Sequence, residues 1–295
     1  MNVQPSCREP VASGAGATPA GDPAYTHHAI KTPDGVTLAV QEWGKADAPA
    51  IVFIHGFSAA HLVWRKQVED PELASAFRLI TFDTRGSGLS GKPAASDAYD
   101  GARLADDIAT VIDTLSLERP VLVAWSAGGL VAGDYVARHG DAAIGGLVFV
   151  GGIFVRDPDL YGPATVDLPA MASPDLATSI GASIRFVAAQ FERDPGGEAD
   201  RELLATMMMT PPHVRRALLA RSAAGADAWS GVRVPMLIIH GRRDRVIRPA
   251  MAEEGRRLVP HATIAMQEGI GHAPFLEDPA TFNRQLAEFV RDATA

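Results

Sequence analysis

The stretch PVLVAWSAGGLVAGDYVARHG, residues 120–140, sets one serine, Ser126, between an apolar run and a segment of helical periodicity. Ala124, Ala127, Gly128 and Gly129 surround it. A serine raised on a sharp strand-to-helix turn needs small residues two positions away, because larger side chains would strike neighbouring backbone. The usual pattern for such a turn is G-x-S-x-G. Here Ala124 takes the place of the first glycine and Gly128 is the second. A serine hydroxyl is a weak nucleophile at its own pKa. It needs a base within hydrogen-bond reach, and the base needs an orienting acid. The chemistry in view is attack on a carbonyl carbon; the bland alternative is a helix N-cap.

The chain order expected for this arrangement is serine, acid, histidine. IIHGRRDRVI places Asp244 in the loop after an apolar run, and QEGIGHAPFLEDP places His272 between Gly271 and Pro274. Nine histidines compete for the base. His27 and His28 fall on a strand, His61 and His139 in helical contexts, His213 in a helical region, and His261 at the opening of a strand. His55 and His240 end apolar runs and read as supporting groups. Asp83 is the rival acid, but it precedes Ser126. The run ending near Val150 continues as Gly151-Gly152-Ile153, without a carboxylate. The oxyanion that forms during acyl transfer needs preorganised donors. The backbone N–H of Ala127, next after the serine, is one. Phe57, just past the AIVFIHG run, is best placed to supply the other.

These side chains require a scaffold that brings distant loops together. AIVFIHG, FRLITFD, PVLVAW, IGGLVFVGG and VPMLIIHG are continuous apolar runs, as expected of strands buried on both faces of a parallel sheet. Helical patterns alternate with them: Leu104, Ile108, Val111, Ile112 and Leu115 share one face, and Phe282, Leu286, Phe289 and Val290 another. The predicted fold is α/β, a mostly parallel sheet with helices on both faces. In such sheets ligands bind at the carboxyl ends of the strands. The alternation lapses over 154–232, which predicts a helical cap inserted at that edge. The expected divisions are a flexible extension over 1–23, core over 24–153, cap over 154–232, and core again over 233–295.

The 295 residues are 47% hydrophobic and 21% charged, with a net charge of −8. A sizeable core is affordable, and the acidic balance speaks against a nucleic-acid partner. Cys7 is the single cysteine, too few for a disulfide within the chain or a thiolate zinc site. No apolar run reaches the ~18 residues of a membrane span, and the first residues lack the apolar core of a secretory signal. The expectation is a soluble, cytoplasmic protein with no membrane partner; nothing in the sequence sets its oligomeric state. RGSGLSGK, residues 85–92, lacks the spacing of a phosphate-binding loop. No metal, nucleotide, flavin or other cofactor is implied.

HGF, FDTRGSGLS, AWSAGG, GRRDRV and GIGHAP occur in order along the chain. On these motifs the chain resembles the α/β-hydrolase superfamily, of the serine-nucleophile type with a helical cap. It looks like the carboxylesterase and cofactor-free haloperoxidase-like branch, over roughly residues 25–293. The resemblance implies a triad of Ser126, Asp244 and His272, with Phe57 and Ala127 as oxyanion donors. Two departures stand out: Ala124 in the elbow, and Ser58 where perhydrolase-like members typically have proline. The implied activity is hydrolysis of a small to medium apolar carboxylic ester or lactone through an acyl-enzyme on Ser126. The alternatives are perhydrolysis of the haloperoxidase-like kind, acyl transfer or C–C bond hydrolysis by the same triad, and a non-catalytic ligand-binding protein of the same fold. Trp125, Phe154, Phe275 and Met208, with the side chain of Phe57, are the expected apolar walls of the pocket.

Overall fold

The computed structural model describes residues 25–196 and 198–294. The expected extension over 1–23, with Cys7, lies outside the described residues. The apolar runs become strands β3 (Ala50–Ile54), β4 (Arg78–Phe82), β5 (Val121–Trp125), β6 (Gly146–Val150) and β7 (Met236–Gly241). Every residue of β3, β5, β6 and β7 is buried, as both faces of a covered parallel sheet demand. Ahead of them, β1 (Thr26–Lys31) and β2 (Thr37–Gly44) form a hairpin. β8 (Thr263–Gln267) closes the far edge.

The sheet order is β1-β2-β4-β3-β5-β6-β7-β8. β2 runs antiparallel to both its neighbours, and the pairs from β4 through β8 are all parallel. Trp125 pairs with Val150, Val150 with Ile239, and Gly241 with Gln267. The carboxyl ends of β5 through β8 therefore lie in register along one edge.

Helices fill the crossovers. α1 (Arg65–Val68) and α2 (Pro71–Ala76) lead from β3 to β4, α3 (Gly101–Thr114) from β4 to β5, and α4 (Gly128–His139) from β5 to β6. Between β6 and β7 come α5 (Leu168–Met171), α6 (Leu176–Ala189), α7 (Ala199–Met208) and α8 (Pro212–Ala220). α9 (Ala250–Leu258) joins β7 to β8, and α10 (Pro274–Glu277) and α11 (Pro279–Thr294) end the chain. None of the helices is long and apolar enough to cross a membrane.

α3 buries Leu104, Ile108, Val111 and Ile112, the face its periodicity predicts. Asp107 is buried on the same helix and meets the buried Arg85 through two hydrogen bonds of 2.8 and 2.6 Å. Asp34, in the β1–β2 turn, takes the same guanidinium at 2.7 Å. A buried cation balanced by two carboxylates ties the hairpin, the turn after β4 and α3 together.

The segment from β6 to β7 holds helices and short 3-10 turns, with no strand among its described residues beyond a single bridge, Tyr161 to Ile247. Its entry and exit are pinned to each other: Trp229 Nε1 donates to the Phe154 carbonyl at 3.0 Å. Phe154 stacks on Phe149 at 4.2 Å, and Trp229 meets both rings edge-on.

Candidate active site

Ser126 follows β5 directly and has φ 55°. Few residues with a side chain adopt that left-handed region, and those that do are held there by their surroundings. The restraints are visible. The Ser126 N–H donates to Val150 O at 3.1 Å, and the Ser126 carbonyl accepts from Gly129 and Ile153 at 2.9 and 3.0 Å. The small residues are needed for the close approach: a Cβ on Gly128 would lie 2.7 Å from Ile54 O and 2.8 Å from His55 O. Ala124 is accommodated inside β5, and the turn keeps its strained conformation without the first glycine.

Asp244 and His272 meet at the same edge. Asp244 follows β7, and its Oδ2 lies 2.7 Å from His272 Nδ1. Its Oδ1 accepts from the N–H groups of Val246 and Ile247 at 2.8 and 2.9 Å, and His240 Nε2 lies 3.2 Å from Oδ2. Burial raises the Asp244 pKa, but the facing imidazoles of His272 and His240 outweigh it and hold the carboxyl well below the usual range. With Asp244 ionised, Nδ1 of His272 carries the hydrogen. Nε2 is then the nitrogen with a free lone pair. It is buried and has no hydrogen-bond partner among the described residues, so it is not hydrogen-bonded to Ser126 Oγ. His272 is fixed from behind as well: its N–H donates to Gln190 O at 2.7 Å, and its carbonyl accepts from Trp125 Nε1 at 3.0 Å. The residue before the serine thus holds the loop of the histidine.

The loop after β3 runs against the elbow: a Cβ on Gly56 would lie 3.1 Å from Ser126 Cβ. Among the described residues neither the Phe57 N–H nor the Ala127 N–H donates to a protein acceptor, and both residues are half-buried in otherwise buried surroundings. Ala127 stands at the N-terminus of α4, where the first N–H groups lack helical partners. His55 supports this loop. Its Nε2 accepts from the Thr84 N–H at 3.1 Å, so Nδ1 donates to Gly56 O at 2.8 Å. Burial lowers its pKa, with Asp83 opposing. Asp83, the rival acid, is taken up by the loops instead: its carboxylate accepts from the N–H groups of His61 and Leu89 at 2.7 and 2.8 Å and faces His61 Nδ1 at 2.9 Å. His240 differs from the expectation of a fully satisfied support: its Nε2 reaches Ile247 O at 3.0 Å, and its Nδ1 has no partner among the described residues.

Of the expected pocket walls, Phe57 lines the cavity beside the elbow, and Trp125, Phe154 and Phe275 are buried in packing. Trp125 and Phe275 are buried and meet edge to face at 5.1 Å, with Trp64 against Phe275 at 4.4 Å. Phe154 is in the aromatic stack already described. β5 and β6 are covered on both faces, so rings at their ends fill packing and not a cavity. Met208 is half-buried, its Sδ 3.7 Å from Arg215. A narrow cavity of about 40 Å³ opens beside the elbow, walled by Phe57, Ala127, Leu130, Val131 and Leu218 and also by Ser58, Thr84, Arg156 and Arg221. The aliphatic walls from α4 and α8 were missed because leucines on amphipathic helices read as core.

A family model described as the alpha/beta hydrolase family matches residues 51–285. The chain belongs to the alpha/beta hydrolase family. The structure of a candidate aryl esterase from Burkholderia cenocepacia superposes with TM-score 0.88 at 38% identity, covering 91% of this chain and 99% of that one. The esterase RhEst1 from Rhodococcus sp. ECU1013 gives 0.83 at 30%, covering 91% and 98%. The bifunctional esterase/perhydrolase DCH of Acinetobacter calcoaceticus is 25% identical over 283 residues, 89% of this chain and 99% of its own. This alpha/beta hydrolase thus has relatives in the esterase and perhydrolase branch, and they support a hydrolase.

Proposed function

We propose that this hydrolase cleaves a small apolar carboxylic ester through an acyl-enzyme on Ser126. His272 Nε2 takes the hydroxyl proton as Ser126 Oγ attacks the carbonyl carbon. The oxyanion is received by the N–H groups of Phe57 and Ala127. Asp244 keeps the hydrogen on Nδ1 and stabilises the imidazolium. The imidazolium then protonates the departing alcohol, and water releases the acyl group by the same steps. The observation that carries this reading is the Asp244–His272 hydrogen bond, 2.7 Å long, with Nε2 left unpartnered at the edge where the strained Ser126 stands.

The cavity beside the elbow, about 40 Å³ against the about 10–15 Å³ that one water needs, supports a small acyl group as the first to try, although neither Ser126 nor His272 lines it. The helical segment over 154–232 acts as the cap, and longer chains require it to move. Turnover of p-nitrophenyl acetate and butyrate tests the reading. Wild type cleaves acetate faster, and Ser126→Ala loses both activities along with labelling by a fluorophosphonate. Full turnover by the alanine variant removes the serine from the mechanism.

Likeness to the esterase/perhydrolase of Acinetobacter calcoaceticus favours peracid formation as a second reading. Against it stands Ser58, whose φ of 60° no proline could adopt; the loop is built differently from one carrying proline there. Peroxide-dependent halogenation of monochlorodimedone separates the two.

A further inference from the structure

Arg215, on α8, is completely buried, and all of its hydrogen-bond partners are neutral. Burial, with no facing carboxylate among the described residues, lowers its pKa to about 10. A buried, unbalanced guanidinium is costly unless its donors are satisfied. Nη1 donates to the Met171 carbonyl at 2.6 Å and to Ser179 Oγ at 3.0 Å, and Nη2 donates to the Met207 carbonyl. These gather α5, α6 and α7 around one side chain. Nε reaches outside the segment and donates to Ser58 Oγ at 2.9 Å.

Ser58 is the residue after the proposed oxyanion donor. Ala59 N–H to Gly56 O, 3.2 Å, closes a four-residue turn in which Ser58 is the third residue, at φ 60°. Turns with a positive φ at that position normally place glycine or asparagine there. Serine needs outside help, and all of it comes from the helical segment. Ser58 Oγ accepts from Arg215 and donates to Met207 O at 3.0 Å, and Thr210 Oγ1 lies 3.4 Å from Ser58 O.

We infer that Arg215 is a positioning residue for the reaction: acting through Ser58 Oγ, it holds the Gly56–Ala59 turn in the conformation that aims the Phe57 N–H at the oxyanion. The inference rests on the serine-hydrolase reading above. It makes docking of the helical segment a condition for a complete oxyanion site, beyond any role in covering substrate.

The test uses Arg215→Met, Arg215→Lys, Ser58→Ala, Ser58→Gly and Ser179→Ala. The readouts are kcat and KM for p-nitrophenyl acetate, the inhibition constant of an alkyl boronic acid that forms a tetrahedral adduct on serine, and the thermal midpoint. Loss of a full oxyanion donor costs about 10²–10³ in kcat, so a misaimed one is expected to cost about tenfold or more. Arg215→Met and Ser58→Ala lose that much kcat and boronate affinity, with KM nearly unchanged. Arg215→Lys recovers part of the loss. Ser58→Gly, which takes positive φ unaided, loses less than Ser58→Ala. Ser179→Ala removes one contact of the same guanidinium away from the turn; it lowers the thermal midpoint and leaves kcat alone. Should Arg215→Met fail to fold, Ser58→Ala decides, since it keeps the arginine. Wild-type kcat and boronate affinity in folded Ser58→Ala would overturn the inference, as would an equal kcat loss in Ser179→Ala. Turnover surviving Ser126→Ala is a separate result, which removes the hydrolase reading and this inference with it.

Discussion

Both oxygens of Asp244 are occupied: Oδ1 by two backbone N–H groups, Oδ2 by His272 and His240. In the proposed mechanism this carboxylate selects the tautomer of His272. Asp244→Asn preserves volume and the Oδ1 contacts but cannot stabilise an imidazolium, and its amide invites the wrong tautomer. A fall in kcat of about 10³–10⁴ with little change in KM is expected, read with p-nitrophenyl acetate; a loss below tenfold would assign the carboxylate to stability alone. The depressed pKa has a consequence for folding too. The folded carboxyl releases its proton more readily than the unfolded one, so its contribution is present above about pH 3.9 and drains as pH falls through the folded pKa.

The loop after β3 is a second element with a pH signature. His55 has a folded pKa below its ordinary value because burial outweighs the opposing charge of Asp83. The unfolded chain therefore binds the extra proton first, and stability is lost as pH drops below about 6.5. Urea midpoints for wild type and His55→Gln, taken from pH 8 to pH 5, should diverge, with the wild type falling more steeply; parallel curves would contradict the assignment. Such elements differ in how plainly the sequence announces them. β3, β5, β6 and β7 are unbroken apolar runs ending in glycine or polar residues, so the strands and the edge where they end were legible. The strained turn at Ser126 was legible from the small residues around it, and the meeting of Asp244 with His272 from chain order and loop position. At Trp125, Phe154 and Phe275 apolarity marks a buried ring without saying whether it meets protein or ligand. Arg215 was overlooked for the opposite reason: an arginine in PPHVRRALLARS reads as solvent-facing until the segment folds over the turn that it bonds.

Across the whole molecule, the residues proposed to act together come from loops after β3, β5, β7 and β8, and the hydrogen bond from Trp125 to the His272 carbonyl spans 147 positions. Each loop is placed by strands whose partners lie far away in the chain, and such contacts form late because the chain must first close long loops. Helices such as α3 need only local contacts and form early. Refolding from urea should therefore show far-ultraviolet circular dichroism recovering before ester turnover; simultaneous recovery would mean that the loops converge with the helices. A half-assembled chain has its hydroxyl and its imidazole but no means of introducing them to each other. Reactivity in this design doubles as a certificate of completion, and an unfinished copy is chemically mute.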